Sequence, residues 1–334
     1  MALSSLITLD CHTHILPETL PDFSAEFGYG EFVRLQHHAP QKAWMYKGFK
    51  KFREINANCW DPAIRIEEMK DHGIDMQIIC TIPVMFSYWA KPADGLRISQ
   101  FLNDHIAQLF TQYPQHFIGL ATVPMQNTEL AVRELERCKQ LGFKGVQIGS
   151  NVNQLNLNAP EFHNFFAACE ALNLSVLIHP WEMMGQEHME QYWLPWLVGM
   201  PAEITRALCS FIFGGLFDRY PKLRVCFAHG GGNFIGTLGR LEHGWSCRPD
   251  LVAIDNPNPP SSYLGRFWVD SHVCDSEQLT LLVKKLGADK VIQGSDYPFP
   301  LGESSPGHLV RNSGLNESVQ NSIFNNAPKA WLGI

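Results

Sequence analysis

Two histidines separated by a single residue, His12 and His14, are the first candidates for chemistry in this chain. In an extended segment, residues two apart project from the same face, so both imidazoles can bite one metal ion. His179 and Asp296, far away in sequence, offer a third nitrogen and a carboxylate oxygen. Three imidazoles and a carboxylate suit zinc or another divalent transition metal, with a further position open for water. A single strand-end histidine is more often a hydrogen-bonded packing residue. Four candidate ligands at matching places move the balance to a metal centre.

His229 heads the string His229-Gly230-Gly231-Gly232. The glycines permit a tight turn and let a ligand or metal-bound water approach the backbone. Imidazole moves protons near neutrality, so His229 is assigned as general base toward the metal's water rather than as another ligand. Arg53 and Arg240 are the candidates for holding an anionic substrate, because guanidinium presents a planar fork matched to a carboxylate. The run 145–149 has no lysine that could be carbamylated to bridge two ions, and Lys144 lies at its wrong end. One metal per chain is therefore expected.

Residues so far apart need a fold that returns to one rim. Short apolar runs at 6–9, 75–83, 117–123, 145–149, 175–179, 224–229, 267–270 and 290–294 read as parallel strands covered on both faces. Amphipathic stretches at 63–72, 95–113, 129–141, 160–172, 202–220, 234–245 and 276–286 lie between them and end in turn signals. Eight strands in βα alternation favour a closed (β/α)8 TIM barrel over an open sheet. The sites of such barrels sit at the C-terminal ends of the strands. His12 and His14 then end the first strand, His179 the fifth and His229 the sixth, with Asp296 just after the eighth. His272 ends the seventh and has no role assigned. The barrel is read as one domain, 1–334, with residues 16–61 as an aromatic, Lys/Arg-bearing insertion that caps its mouth.

The net charge of −7 argues against nucleic acid or an anionic membrane as partner. Nine scattered cysteines without a Cys-x-x-Cys pair give neither a thiolate zinc ribbon nor a thioredoxin-like motif, and point to a reducing cytosol. Residues 1–10 lack the positive region of a signal peptide. The apolar stretch 193–217 is interrupted by Pro201, Glu203 and Arg206, and reads as a loop and buried helix rather than a membrane span.

Several strings carry a family likeness. Asp10-Cys11-His12-Thr13-His14, His179-Pro180-Trp181, His229-Gly230-Gly231-Gly232 and Gly294-Ser295-Asp296-Tyr297-Pro298 together resemble the amidohydrolase superfamily. Cys59-Trp60-Asp61-Pro62 with Arg65, Pro83-Val84-Met85-Phe86-Ser87-Tyr88, the run 193–203 and the run 296–303 are similar to the aminocarboxymuconate semialdehyde decarboxylases. The likeness includes the cap, at Phe27-Gly28-Tyr29-Gly30 and Leu35-Gln36-His37-His38, and weakens after Ser304.

This resemblance implies that His12, His14, His179 and Asp296 hold zinc and that His229 transfers protons. It also implies that Arg53 and Arg240 grip substrate carboxylates, the latter reaching in from the neighbouring subunit of a homodimer. Trp193 and Phe299 would line the pocket, and Lys47 of the cap would assist. The implied reaction is zinc-dependent, non-oxidative decarboxylation of the small dicarboxylate 2-amino-3-carboxymuconate 6-semialdehyde, within cytoplasmic tryptophan (kynurenine) catabolism. The same residues leave open a metal-dependent hydrolase, since fold alone does not fix the reaction. A metal-binding regulatory protein is the other alternative, and turnover separates it.

Overall fold

The computed structural model describes residues 7–334. The apolar runs become strands β1 (Leu9–Ile15), β2 (Met76–Thr81), β3 (Phe117–Ala121), β4 (Gly145–Gly149), β5 (Ser175–His179), β6 (Val225–Phe227), β7 (Trp268–Asp270) and β8 (Val291–Ile292). Each pairs in parallel with the next in sequence. The ring closes where Cys11 N donates to Gln293 O at 2.7 Å, Asp296 N to His12 O at 2.9 Å and His14 N to Tyr297 O at 2.8 Å. Every residue of β1, β4 and β5 is buried, as expected of strands covered on both faces. The cover consists of α1 (Pro62–Asp71), α2 (Pro92–Gln112), α3 (Thr128–Leu141), α4 (His163–Ala171), α5 (Met200–Phe213), α6 (Phe234–Cys247), α7 (Ser276–Leu286) and α8 (Ala327–Leu332).

Two elements differ from the sequence expectation. The apolar pattern puts the first strand at 6–9, of which Leu6 lies outside the described residues. The strand instead continues to Ile15, so His12 and His14 sit within it rather than at its end. Its pairing to β2 slips between Asp10 and Thr13, a bulge of the kind that re-aims side chains. The two imidazoles still come together, with ring centroids 5.0 Å apart. The second difference is the stretch 202–220, which breaks into α5 and a short turn of helix, Leu216–Arg219. Gly215, at φ 66°, adopts the left-handed conformation that ends the regular helix.

By length and composition Pro195–Phe213 could cross a membrane. Here Ile204, Ala207, Leu208, Phe211 and Ile212 from that stretch are packed in the barrel core.

Within 16–61 lie a short helix, Phe23–Phe27, and three antiparallel strands, Val33–Ala39, Lys42–Lys47 and Lys50–Asn56. Ala43, Met45 and Ile55 are buried with Phe23 and Phe32 in a small core that continues into Val84, Ile98 and Leu102 of the barrel. At the seam, the fully buried Arg65 of α1 donates to His14 O at 2.7 Å, Asn58 O at 2.9 Å, Thr13 Oγ1 at 3.1 Å and Gln77 Oε1 at 2.7 Å. One guanidinium thus ties the end of the insertion to the strand that carries two candidate ligands.

Candidate metal centre and adjoining cavity

The three histidines are oriented from behind. His12 Nδ1 donates to Asp270 Oδ2 at 2.7 Å, His14 Nδ1 to Thr81 O at 3.0 Å and His179 Nδ1 to Pro180 O at 2.9 Å. Carbonyl and carboxylate oxygens only accept, so each Nδ1 carries the proton and each Nε2 presents a lone pair. Those lone pairs converge on Asp296. Its Oδ1 lies 2.9 Å from His14 Nε2, 3.5 Å from His12 Nε2 and 3.9 Å from His179 Nε2. One donor atom from each of the four residues falls within 4.8 Å of the others.

Lone pairs facing a carboxylate repel unless a cation lies between them. His12 Nε2 and His179 Nε2 are buried with no hydrogen-bond partner, a cost normally avoided inside proteins. The donor set, the outward-anchored Nδ1 atoms and the orphaned Nε2 atoms all fit a resident divalent metal ion. Burial opposes charge at every group here, and it pushes His179 down to about 3 and lowers His14. Burial would also raise the Asp296 carboxyl. The imidazoles gathered around it, His14 nearest at 2.9 Å, outweigh burial and carry that group well below the usual range.

The backbone sets the remaining geometry. Asp296 and His229 both occupy left-handed φ, 58° and 54°, a conformation that costs non-glycine residues roughly 1–3 kcal/mol and clusters at functional sites. His229 Nε2 is buried, lacks a hydrogen-bond partner and lies 3.7 Å from Asp296 Oδ2. It therefore faces the carboxylate oxygen that the other three histidines do not. The glycines after it serve the protein's own packing. A Cβ on Gly232 would lie 2.2 Å from Pro201 O, and one on Gly230 would lie 2.3 Å from Val273 Cγ1. Close approach is what they permit, but of neighbouring chain segments rather than of a ligand.

A cavity of about 200 Å³ lies against His14, His179 and Asp296, beneath the inserted sheet. Arg53, Lys47, Trp193 and Phe299 line it. The Arg53 guanidinium is stacked between Phe52 and Phe299, at 5.0 and 4.7 Å from the ring centroids. Burial lowers its pKa, and the Asp296 charge opposes that shift. Phe299 also sits 5.7 Å from the His14 ring. Arg240 is not brought here. It is exposed on α6 and absent from the cavity wall.

Asp270 was not picked out from the sequence. Its Oδ1 accepts from Gly230 N at 2.9 Å and His272 N at 3.1 Å while Oδ2 holds His12. The available signal was a carboxylate closing an otherwise apolar strand, two residues before His272. Burial would raise its pKa, but the His12 hydrogen bond prevails and keeps it ionised. Carboxylates behind metal-bound histidines typically contribute 10–100-fold in metal affinity. Asp270→Asn should therefore weaken metal binding by about 10–100-fold, read by competition with a chromophoric chelator. Unchanged affinity would remove Asp270 from this role.

The sequence pattern of the Amidohydrolase family matches residues 9–334. The chain is 52% identical over 330 residues to a 2-amino-3-carboxymuconate-6-semialdehyde decarboxylase of Dictyostelium discoideum, covering 98% of this chain and 92% of that protein. It is 37% identical to one of Caenorhabditis elegans, covering 90% of this chain and 88% of that protein. The crystal structure of a 5-carboxyvanillate decarboxylase from Sphingomonas paucimobilis superposes with TM-score 0.84 at 23% identity, covering 99% and 100% of the two chains. At that identity the likeness bears on the fold.

Proposed function

The chain belongs to the amidohydrolase family and is a decarboxylase, and from that premise we propose that it removes the 3-carboxylate of 2-amino-3-carboxymuconate 6-semialdehyde. The product is 2-aminomuconate 6-semialdehyde, and the setting is tryptophan catabolism in the cytosol. The observation that carries this reading is a stacked arginine, Arg53, facing the His14–His179–Asp296 cluster across one small cavity.

His12, His14, His179 and Asp296 would hold one zinc ion. When bound, zinc supplies Lewis-acid polarisation of substrate oxygens and activation of water. Arg53 clamps a carboxylate of the dianion through paired donors, with Lys47 adding positive charge at the cavity edge. Phe299 and Trp193 wall the conjugated chain and exclude bulk water. His229 Nε2 accepts the proton of the water that adds to the substrate and delivers it to C3, after which the adduct loses carbon dioxide and hydroxide, and the hydroxide takes up one proton from solvent. Arg53 contributes orientation, fixing which carboxylate leaves.

The test is turnover with freshly generated substrate, following carbon dioxide release and the product's absorbance, with elemental analysis of the purified protein. Release of carbon dioxide with zinc near one per chain is the expected result. Hydrolysis of amides or lactones without carbon dioxide would replace this reading with the hydrolase.

The exposed Arg240 completes the clamp in a homodimer, where Arg240 of the partner subunit enters each pocket. Mixing His229→Ala and Arg240→Ala proteins under subunit exchange should then restore activity. One pocket of each heterodimer carries both defects and the other neither, so recovery reaches up to about half of the wild-type level. Verified heterodimers that stay inactive would return Arg240 to the surface.

A further inference from the structure

Asp296 has two carboxylate oxygens, and the three-histidine cluster engages one of them. Oδ1 faces His12, His14 and His179. Oδ2 turns toward His229 Nε2, 3.7 Å away and without a hydrogen-bond partner. On the same side stands His272, two residues past the end of β7, with its ring centroid 5.3 Å from that of His229 and the planes at 72°. Donor atoms from His229, His272 and Asp296 all lie within 4.8 Å of one another.

Two imidazoles and a carboxylate form a donor set for zinc, copper or nickel. The group also has its own entrance. His229 and His272 border a second cavity, of about 720 Å³, lined further by Thr237, Cys274 and Gln278. Neither histidine lines the cavity beneath the inserted sheet. The backbone N–H of His272 is held by Asp270 Oδ1, so the pair is positioned by the fold rather than by chance on a mobile surface.

We propose that His229, His272 and Asp296 Oδ2 form a second, weaker divalent-cation site, filled from this outer cavity, with Asp296 bridging the two ions. It is weaker for two reasons. It has three protein donors, one of them shared, and its ion is repelled by the dication already on the other face of Asp296. Absence of a bridging lysine on β4 does not prevent it, because the bridge comes from Asp296. An ion here occupies the His229 lone pair, so excess zinc inhibits the enzyme. That consequence rests on the proposed role of His229 as base, whereas the site itself does not.

The experiment is equilibrium dialysis of the holoenzyme against buffered free zinc, with bound zinc counted per chain, alongside turnover at each concentration. Wild-type protein should bind one ion at low free zinc and a second at higher free zinc, with turnover falling as the second is taken up. His272→Ala should keep the first ion and lose the second, and His272→Gln serves the same purpose if the alanine variant folds poorly. The midpoint of zinc inhibition should move at least roughly tenfold higher in these variants, the size of effect expected when a metal site loses a supporting group. Saturation of the wild type at one ion, uptake of two ions by both variants, or loss of the first ion from both would each overturn the proposal. Binding of two ions by a protein that releases no carbon dioxide would leave the site standing and refute only the proposed reaction.

Discussion

Under its proposed role as base, replacing His229 with alanine should leave the bound metal in place and lower turnover by roughly 10²–10⁴-fold, the usual contribution of a positioned proton-transfer group. Both halves of the result follow from geometry. The His229 ring stacks against His12 at 5.4 Å, yet its Nε2 points to Asp296 Oδ2 rather than into the cluster around Oδ1. Removing it deletes proton transfer without deleting a ligand of the tight site. Backbone conformation is the main confounder, since residue 229 sits at φ 54°. Asparagine tolerates that region better than most residues, so His229→Asn is the companion variant and should show the same loss. Turnover and elemental zinc must be measured on the same samples. Loss of the metal from both variants would make His229 a ligand and overturn the division of roles.

The second large effect concerns Asp296. Its carboxylate is the only formal charge in the four-residue donor set, and it offsets a dication taken from water into a buried site. Asp296→Ala leaves three neutral imidazoles around an uncompensated ion. Losing one partner of a buried charge pair costs about 3–5 kcal/mol, equivalent to roughly 10²–10³-fold or more in affinity. Zinc should dialyse out under conditions where wild type retains it, and carbon dioxide release should fall to the level of the metal-free protein. Asp296→Asn keeps an oxygen without the charge and should lie between the two. If Asp296→Ala held zinc as tightly as wild type, the carboxylate would not be a ligand.

The barrel is legible in the sequence because its strands are buried on both faces and so appear as unbroken apolar runs, as at Gly145–Gly149 and Ser175–His179. The same rule misplaces β1, where Asp10, His12, Thr13 and His14 interrupt the apolar pattern although the ladder continues through them. His12, His14, His179 and Asp296 were readable as a group because their residue types are unusual at strand ends. Asp270 was not, since its importance lies in contacts to Gly230 and His12, 40 and 258 positions away, beside the local one to His272. The three-stranded sheet of the insertion was also hidden. Its strands mix Lys, Arg and aromatic residues, and alternation shows clearly only around Ala43 and Met45.

Those three contacts of Asp270 have an evolutionary consequence. His12, the turn that begins at His229 and the backbone of His272 hang from one carboxylate. Under the proposed roles, a substitution that tilts His12 to suit another ion also shifts the turn bearing His229, so metal preference and proton delivery would not vary independently. Changes at positions 12, 230, 270 and 272 form an epistatic block. Double-mutant cycles within it should give interaction energies of about 0.5–3 kcal/mol, whereas the same changes combined with a remote surface substitution should add. A lineage that altered one of these positions would be expected to carry a compensating change at another, and a relative with a different residue at 270 is where a different ion or a different proton route should be sought.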